Sequence, residues 1–370
     1  MGLTIGIAAE TASGEKRVAL DPPTAAKLAG AGHEVRVQSG AGVEAGHPDA
    51  AWKDCQVVND TSALAADLQI LPAVGRPAGE LLEKLPRGSL VIAQLAPHRD
   101  LDALKQAASR GISLIAMELV PRITRAQAMD VLSSQATVAG YQGVIIAADI
   151  SPRLLPMLTT AAGTLRPAQA VVIGAGVAGL QAIATARRLG AQVEAYDIRA
   201  AAREQVESLG ARMIDTGVDA ETEGGYAREL SEDEKNQQAE ALAARLARAD
   251  IVITTAAIPG RPSPKIISAE MVAGMQPGSV IVDIAAEGGG NCELTRPGET
   301  ISENGVIISG PLNLPSRCAL HASEMYARNI FNLMQLVIGE QGLVIDPDDE
   351  VIAGCLLAHD GAIVHPKFKE

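Results

Sequence analysis

Gly174, Gly176 and Gly179 stand in the order G-x-G-x-x-G, directly after the apolar run Ala170–Ile173 and directly before a helix-compatible run from about Val177 to Leu189. That arrangement handles phosphate without side chains. The glycines permit a tight turn, let backbone approach a pyrophosphate, and allow the next helix to pack closely on the strand. The free N–H groups of the first helical turn, those of Val177, Ala178 and Gly179, then face an anion together with the positive end of the helix dipole. Asp197 follows at the end of the next apolar run, about 20 residues on, where a carboxylate can bond both ribose hydroxyls. A carboxylate there repels a 2′-phosphate, so the pattern reads as NAD(H) rather than NADP(H). An α/β turn with close packing and no ligand is the alternative, and Asp197 argues against it.

A second polar group lies at Arg122, Arg125, Gln127, Asp130, Ser133, Ser134 and Gln135, after the last strand of the N-terminal half. It should face the cleft between two domains, with Gln127, Asp130 and Ser134 near one helical face; a network of caps and salt bridges is the plainer explanation. Asp215–Lys235 is acidic and poor in large apolar residues, and Gly224 and Gly225 stand beside Tyr226. A loop of that length in a compact domain is either a solvated insert or a lid that closes Tyr226 over a nucleotide. His33, His47, His98, His321, His359 and His365 are isolated, and no Ser/His/Asp arrangement stands out. Cys55, Cys292, Cys318 and Cys355 are scattered without a C-x-x-C pair, which points to no metal site and a reducing compartment.

The elements that must position these residues alternate in type. Leu3–Ala8, Glu34–Gln38, Leu68–Pro72, Leu90–Gln94 and Ser113–Ala116 read as strands in the first half, with helices such as Pro23–Ala31 and Leu101–Arg110 between them. Ala170–Ile173, Gln192–Tyr196, Arg212–Ile214, Ile251–Thr254, Val280–Asp283 and Val306–Ser309 continue the pattern, the signature of parallel α/β sheets. The expected fold is thus α/β, two Rossmann-like parallel-sheet domains joined by long linker helices, with the cofactor in the interdomain cleft. Thr124–Ala147 and about Ser316–Ile338 are the linkers. The second returns the chain, giving a discontinuous N-terminal domain of residues 1–125 plus 330–370 and a nucleotide-binding domain of residues 126–329. The tail predicts strands around Val351–Ala358 and Ala362–Val364, with a turn at Asp360-Gly361.

At 370 residues with 47% apolar content, the chain is long enough for two cores, although Phe, Trp and Tyr make up only 2%. Ala, Val, Ile and Leu must fill them. The net charge of −13 offers no basic footprint for nucleic acid or anionic lipid. Val131–Ala148 and Pro167–Ala186 lack charge, but Gly, Gln, Ser or Thr interrupt both, so no direct membrane span is expected, and no signal peptide is read.

PRITRAQAMDVLSSQ at 121–135, GAGVAGLQAIATARRLGA at 174–191, YDIRAAAREQVESLGA at 196–211, EGGYA at 223–227 and DGAIVHP at 360–366 closely resemble the NAD(H)-binding first domain of proton-translocating nicotinamide nucleotide transhydrogenases. The resemblance runs essentially end to end and fits a separate alpha-1 subunit of a split bacterial enzyme, or an excised domain. It implies a homodimer that passes hydride from NADH to NADP+ held on a partner domain (domain III), while membrane domain II moves protons. By the same resemblance the subunit is cytoplasmic, peripheral on the inner membrane. Arg122, Gln127 and Asp130 match the family's nicotinamide loop, with Ser133 beside it. Asp197 matches the adenosine-ribose acid, followed by Ile198 and Arg199, and Tyr226 matches the tyrosine of a mobile loop.

Alanine dehydrogenases share the fold and much of the motif set, and are the rival reading; an NAD-binding module without turnover is the other. Such a dehydrogenase needs a lysine and a histidine to polarise and protonate a keto acid. The corresponding strings here, PAVGRP at 72–77 and AQLAPH at 93–98, put Gly75 and Ala96 at those positions, with His98 two residues further on. Gly75 also stands where transhydrogenases usually carry glutamine. Arg17, in GEKRVAL, matches both families and discriminates neither.

Overall fold

A computed structural model describes residues 2–199, 201–217, 231–257 and 260–369. It divides into two compact units, unit 1 (Met1–Gln135 and Pro315–Glu370) and unit 2 (Ala136–Leu314). These boundaries differ from the 125/126 and 329/330 drawn from the sequence, because the helix returning the chain belongs to the core of unit 1 along most of its length. Its Ala319, Tyr326, Ile330, Leu333 and Val337 are all buried there.

Unit 1 begins with six parallel strands, β1 (Thr4–Ile7), β2 (Glu34–Gln38), β3 (Gln56–Val58), β4 (Ile70–Pro72), β5 (Leu90–Ala93) and β6 (Ser113–Ala116). Helices α1 (Pro22–Gly30), α2 (Thr61–Ala65), α3 (Gly79–Lys84) and α4 (Leu101–Ser109) lie among them. Asp21, Asp60 and Asp100 cap α1, α2 and α4 by accepting from N–H groups of the first turn, which satisfies donors that a helix start leaves orphaned. Strand side chains alternate between two cores. Ile70, Leu90, Ile92 and Ile115 enter one, while Leu71, Val91 and Leu114 enter the other. Both faces of the sheet are therefore covered, as parallel sheets require.

Helix α5 (Val131–Ile150) opens in unit 1 and continues into unit 2. The expected helical linker from Thr124 is a 3-10 turn over Thr124–Met129 before α5 begins, so Gln127 is not on the same α-helical face as Ser134. Unit 2 continues with a hairpin of β7 (Leu158–Thr160) and β8 (Gly163–Leu165), whose residues are all exposed. Its sheet follows: β9 (Gln169–Ile173), α6 (Val177–Arg188), β10 (Gln192–Tyr196), α7 (Ala202–Ser208), β11 (Arg212–Met213), α8 (Glu232–Leu246), β12 (Ile251–Thr254), α9 (Ala269–Ala273), β13 (Val280–Asp283), β14 (Thr300–Glu303) and β15 (Val306–Ser309). The strand order is β11-β10-β9-β12-β13-β15-β14, with only β14 antiparallel. Order reverses between β9 and β12, the switch point at which open parallel sheets bind ligands beyond the carboxyl ends of their strands.

The chain then re-enters unit 1 through α10 (Ala319–Val337), a small hairpin of β16 (Ile338–Gly339) and β17 (Gly342–Leu343), and α11 (Glu350–Cys355). Two antiparallel strands, β18 (Leu356–His359) and β19 (Ala362–Ile363), extend the first sheet beyond β6. Their turn has Asp360 at φ 49° and Gly361 at φ 85°, both left-handed, which suits a two-residue hairpin. One expectation is corrected here. Val351–Cys355, read as strand, is helical because the Asp349 carboxylate accepts from Val351 and Ile352 N–H and starts a turn. Among the described residues no helix is long and apolar enough to cross a membrane.

Candidate dinucleotide site

Gly174 ends β9 at φ +90°, a conformation that L side chains resist. Its N–H donates to the Tyr196 carbonyl at 2.8 Å, and its own carbonyl accepts from Thr255 Oγ1 at 2.9 Å. Gly179 lies so close beneath it that a Cβ there would stand 1.7 Å from Gly174 O. These two glycines are thus needed by the protein itself. Gly176 differs. It is the N-cap of α6 at φ −78°, and a Cβ built on it meets nothing within 4 Å.

No side chain caps α6, so the N–H groups of its first turn, at Val177, Ala178 and Gly179, receive no side-chain acceptor from the protein. Val177 is exposed and α6 is twelve residues long. An uncapped helix start beside a glycine with open space over its Cα fits a pyrophosphate. Helix α5 seats that helix start closely, since a Cβ at Gly140 would come within 2.1 Å of Ala178 O.

Asp197 closes the far side of the turn, its side chain only 6% exposed. Oδ2 accepts from Ala175 N–H at 2.7 Å and Arg199 Nη2 at 2.9 Å, while Oδ1 accepts from Arg199 N–H at 2.8 Å and Arg199 Nε at 2.9 Å. Burial pushes this carboxyl up, but the Arg199 guanidinium and the two backbone donors outweigh it and hold the acid below its ordinary range. Ile198 and the Arg199 side chain are more than half exposed. Tyr226, with Gly224 and Gly225, lies outside the described residues.

The polar cluster of unit 1 separates into distinct groups. Asp130 caps α5, accepting from Ser133 N–H at 2.9 Å and Ser133 Oγ at 2.5 Å. Arg125 pairs with Asp349, Ser134 donates to Asn329 Oδ1, and Gln135 accepts from buried Arg17 and donates to Ala322 O. Those three are structural ties within unit 1. Arg122 and Gln127 present exposed side chains. Arg17 itself is locked to Glu15 through Nε and Nη2 at 2.8 and 2.7 Å.

Four residues that the sequence does not single out organise the loops around these points. Glu10 accepts from Val74 and Gly75 N–H, and Glu118 from Leu95 and Ala96 N–H, so carboxylates seal the loops after β4 and β5. Burial pushes the Glu10 carboxyl up to about 7 and raises that of Glu118 as well. In unit 2, fully buried Asp283 accepts from Asn291 N–H, Cys292 N–H and Thr295 Oγ1. The Asn291 side chain then bonds Ala256 at both its N–H and its carbonyl, next to the Thr255 that holds Gly174. The run GGGN at 288–291 is the one local signal for this pair. Among the described residues no group of His, Cys, Asp or Glu forms a metal cluster.

A doubly covered parallel sheet whose switch-point strand ends in this glycine turn, followed by an acid at the end of the adjacent strand, defines a dinucleotide-binding Rossmann protein. The chain belongs to the alanine dehydrogenase/PNT family, matching its N-terminal domain over residues 6–139 and its C-terminal domain over residues 143–366. It is 44% identical to the first of the chains that make up the split NAD(P) transhydrogenase subunit alpha of Rhodospirillum rubrum, over 98% of each chain. The crystal structure of a transhydrogenase from Sinorhizobium meliloti matches with a TM-score of 0.89 at 43% identity, over 98% of this chain and 100% of that one. An L-alanine dehydrogenase structure matches with a TM-score of 0.84 at 25% identity, over 99% and 98%. The family is one of NAD-binding oxidoreductases, and the two mixed α/β sheets are those of its known structures.

Proposed function

We propose that this chain holds NADH on unit 2 and delivers its hydride to NADP+ held on a separate partner domain, as the alpha-1 subunit of a proton-translocating transhydrogenase. The observation that carries this choice within the family is at the ends of β4 and β5. A keto-acid reductase needs a proton donor there, whereas Gly75 and Ala96 contribute only backbone N–H groups, and Glu10 and Glu118 already occupy them. His98 is exposed. Transfer between two nicotinamide rings moves no proton to substrate oxygen, so an acid/base pair is not needed.

NAD(H), when bound, supplies the hydride; the chain's residues supply placement. The N–H groups of Val177, Ala178 and Gly179 take the pyrophosphate, and Asp197 takes the adenosine ribose with Ile198 and Arg199 beside it. Arg122, Gln127, Asp130 and Ser133 orient the nicotinamide end, and Tyr226 closes over the nucleotide. Asp130 and Ser133 are rigidly paired at the start of α5, which suits a positioning task. The working assembly in this proposal is a homodimer on the cytoplasmic side of the membrane, joined to the NADP-binding and membrane domains.

The test mixes the purified chain with an NADP-binding transhydrogenase domain and follows NADPH formation from NADH. Transfer should require both components, and Arg122→Ala, Gln127→Asn and Asp130→Asn should slow it more than they weaken NADH binding. Oxidation of NADH by pyruvate and ammonia at a substantial rate would instead establish an alanine dehydrogenase. Tight NADH binding with neither reaction would leave a binding module.

A further inference from the structure

A carboxylate offers about four acceptor positions, and in Asp197 all four are filled. Ala175 N–H and Arg199 N–H take two of them, and both are backbone donors fixed by the turn. The other two go to Nε and Nη2 of a single guanidinium, at 2.9 Å each. A ribose diol also brings two donors. It must therefore take the places that Arg199 holds, one bidentate donor replacing another. Exposure fits that exchange: the Asp197 side chain is 6% exposed and that of Arg199 is 56%, so the guanidinium lies on the solvent side of the acid and is free to swing away.

We infer that Arg199 is an internal competitor for the ribose site and a specificity-determining residue; the inference rests on Asp197 being the ribose acid. Each NADH that binds displaces the guanidinium, so affinity is set below what the acid alone would give. Once displaced, the cation stays tethered two residues from the acid, where it partly offsets repulsion of a 2′-phosphate. Arg199 thus narrows the preference for NADH over NADPH from both sides.

The experiment is calorimetric titration of the full chain with NADH, NADPH and ADP-ribose, the last lacking the nicotinamide. Arg199→Met keeps the apolar stem and removes the donors. It should tighten NADH and ADP-ribose by about 2- to 10-fold, the scale of an exposed ion pair, and weaken NADPH. Arg199→Lys, which cannot form the fork, should fall between. In an Asp197→Ala background the Arg199→Met gain should vanish. If Asp197→Ala leaves NADH affinity unchanged, the assignment of the ribose acid fails. If Asp197→Ala weakens NADH but Arg199→Met weakens it too, or leaves it unaltered, competition by Arg199 is overturned while that assignment stands.

Discussion

Gly176→Ala separates what the fold needs from what a ligand needs. In the protein alone the substitution is nearly free: φ is −78°, ordinary for alanine, and the new Cβ has no neighbour within 4 Å. Stability should move by less than about 0.5 kcal/mol. Bound pyrophosphate changes the balance. A methyl group projects about 1.5 Å from Cα, and an anion seated on the helix start must retreat by roughly 1 Å. A hydrogen bond stretched from about 2.9 Å to about 3.9 Å is lost. One or two bonds to a charged acceptor, each worth about 1.5–3 kcal/mol, then disappear from binding. NADH affinity should fall by roughly 2–4 kcal/mol, or about 30- to 1,000-fold. Thermal unfolding and NADH calorimetry on the same preparation read the two quantities. Unchanged affinity with unchanged melting would refute the placement of a phosphate over Gly176.

Gly179→Ala makes the converse case: its Cβ would lie 1.7 Å from a backbone carbonyl, so chemical denaturation should show a loss of about 1–3 kcal/mol without any ligand. Tyr326→Phe removes the buried hydroxyl shared by the Ala73 and Val74 carbonyls at 2.9 and 3.1 Å, and the denaturation midpoint should report about 1–3 kcal/mol lost. Asp283→Ala orphans three buried donors, and should cost about 3 kcal/mol or more while weakening NADH through Asn291 and the Thr255 contact. Glu10 gives a pH signature. Its carboxyl, raised to about 7 from 4.5 by burial and by nearby Glu15 against the pull of Arg17 and two N–H donors, binds more protons folded than unfolded in that interval. Its contribution therefore improves as pH falls from 7 toward 4.5 and is most costly above 7, by at most about 3 kcal/mol. Glu10→Gln should stabilise the protein at pH 8 relative to pH 5, as read from melting curves at both.

The parallel strands are legible because each is an apolar run bounded by turn residues, and the glycine turn because its spacing is local. Strand β3 escapes: Gln56–Val58 is three residues with only Val58 buried, too short to carry a pattern. Val351–Cys355 reads as strand only because a short apolar run has no period of its own, and the cap at Asp349 decides for helix. Asp197 can be found by counting from Gly174. The bonds of Asp283 to Asn291, and of Glu10 to the loop 64 residues away, depend on tertiary proximity that no local spacing encodes. The filled acceptor positions of Asp197 are likewise invisible, since a sequence names Arg199 without its rotamer.

Unit 1 is written in two pieces, and a ribosome makes them far apart in time. Strands β1 to β6 emerge first, yet α10, which fills one of their cores, and β18, which covers the edge of β6, come only after all of unit 2. At about 5–20 residues per second, the interval between Gln135 and His359 is roughly 10–45 s. Through it the apolar face holding Ile70, Ile92 and Ile115 stays wet and the β6 edge stays open, the condition in which nascent sheets associate with the wrong partner. Unit 2, one uninterrupted segment, has no such wait. Rearranging the gene so that the segment encoding 315–370 precedes the codon for Gly2 would close the interval, and such a permutant should give more soluble protein under fast expression at about 37 °C than the natural order does.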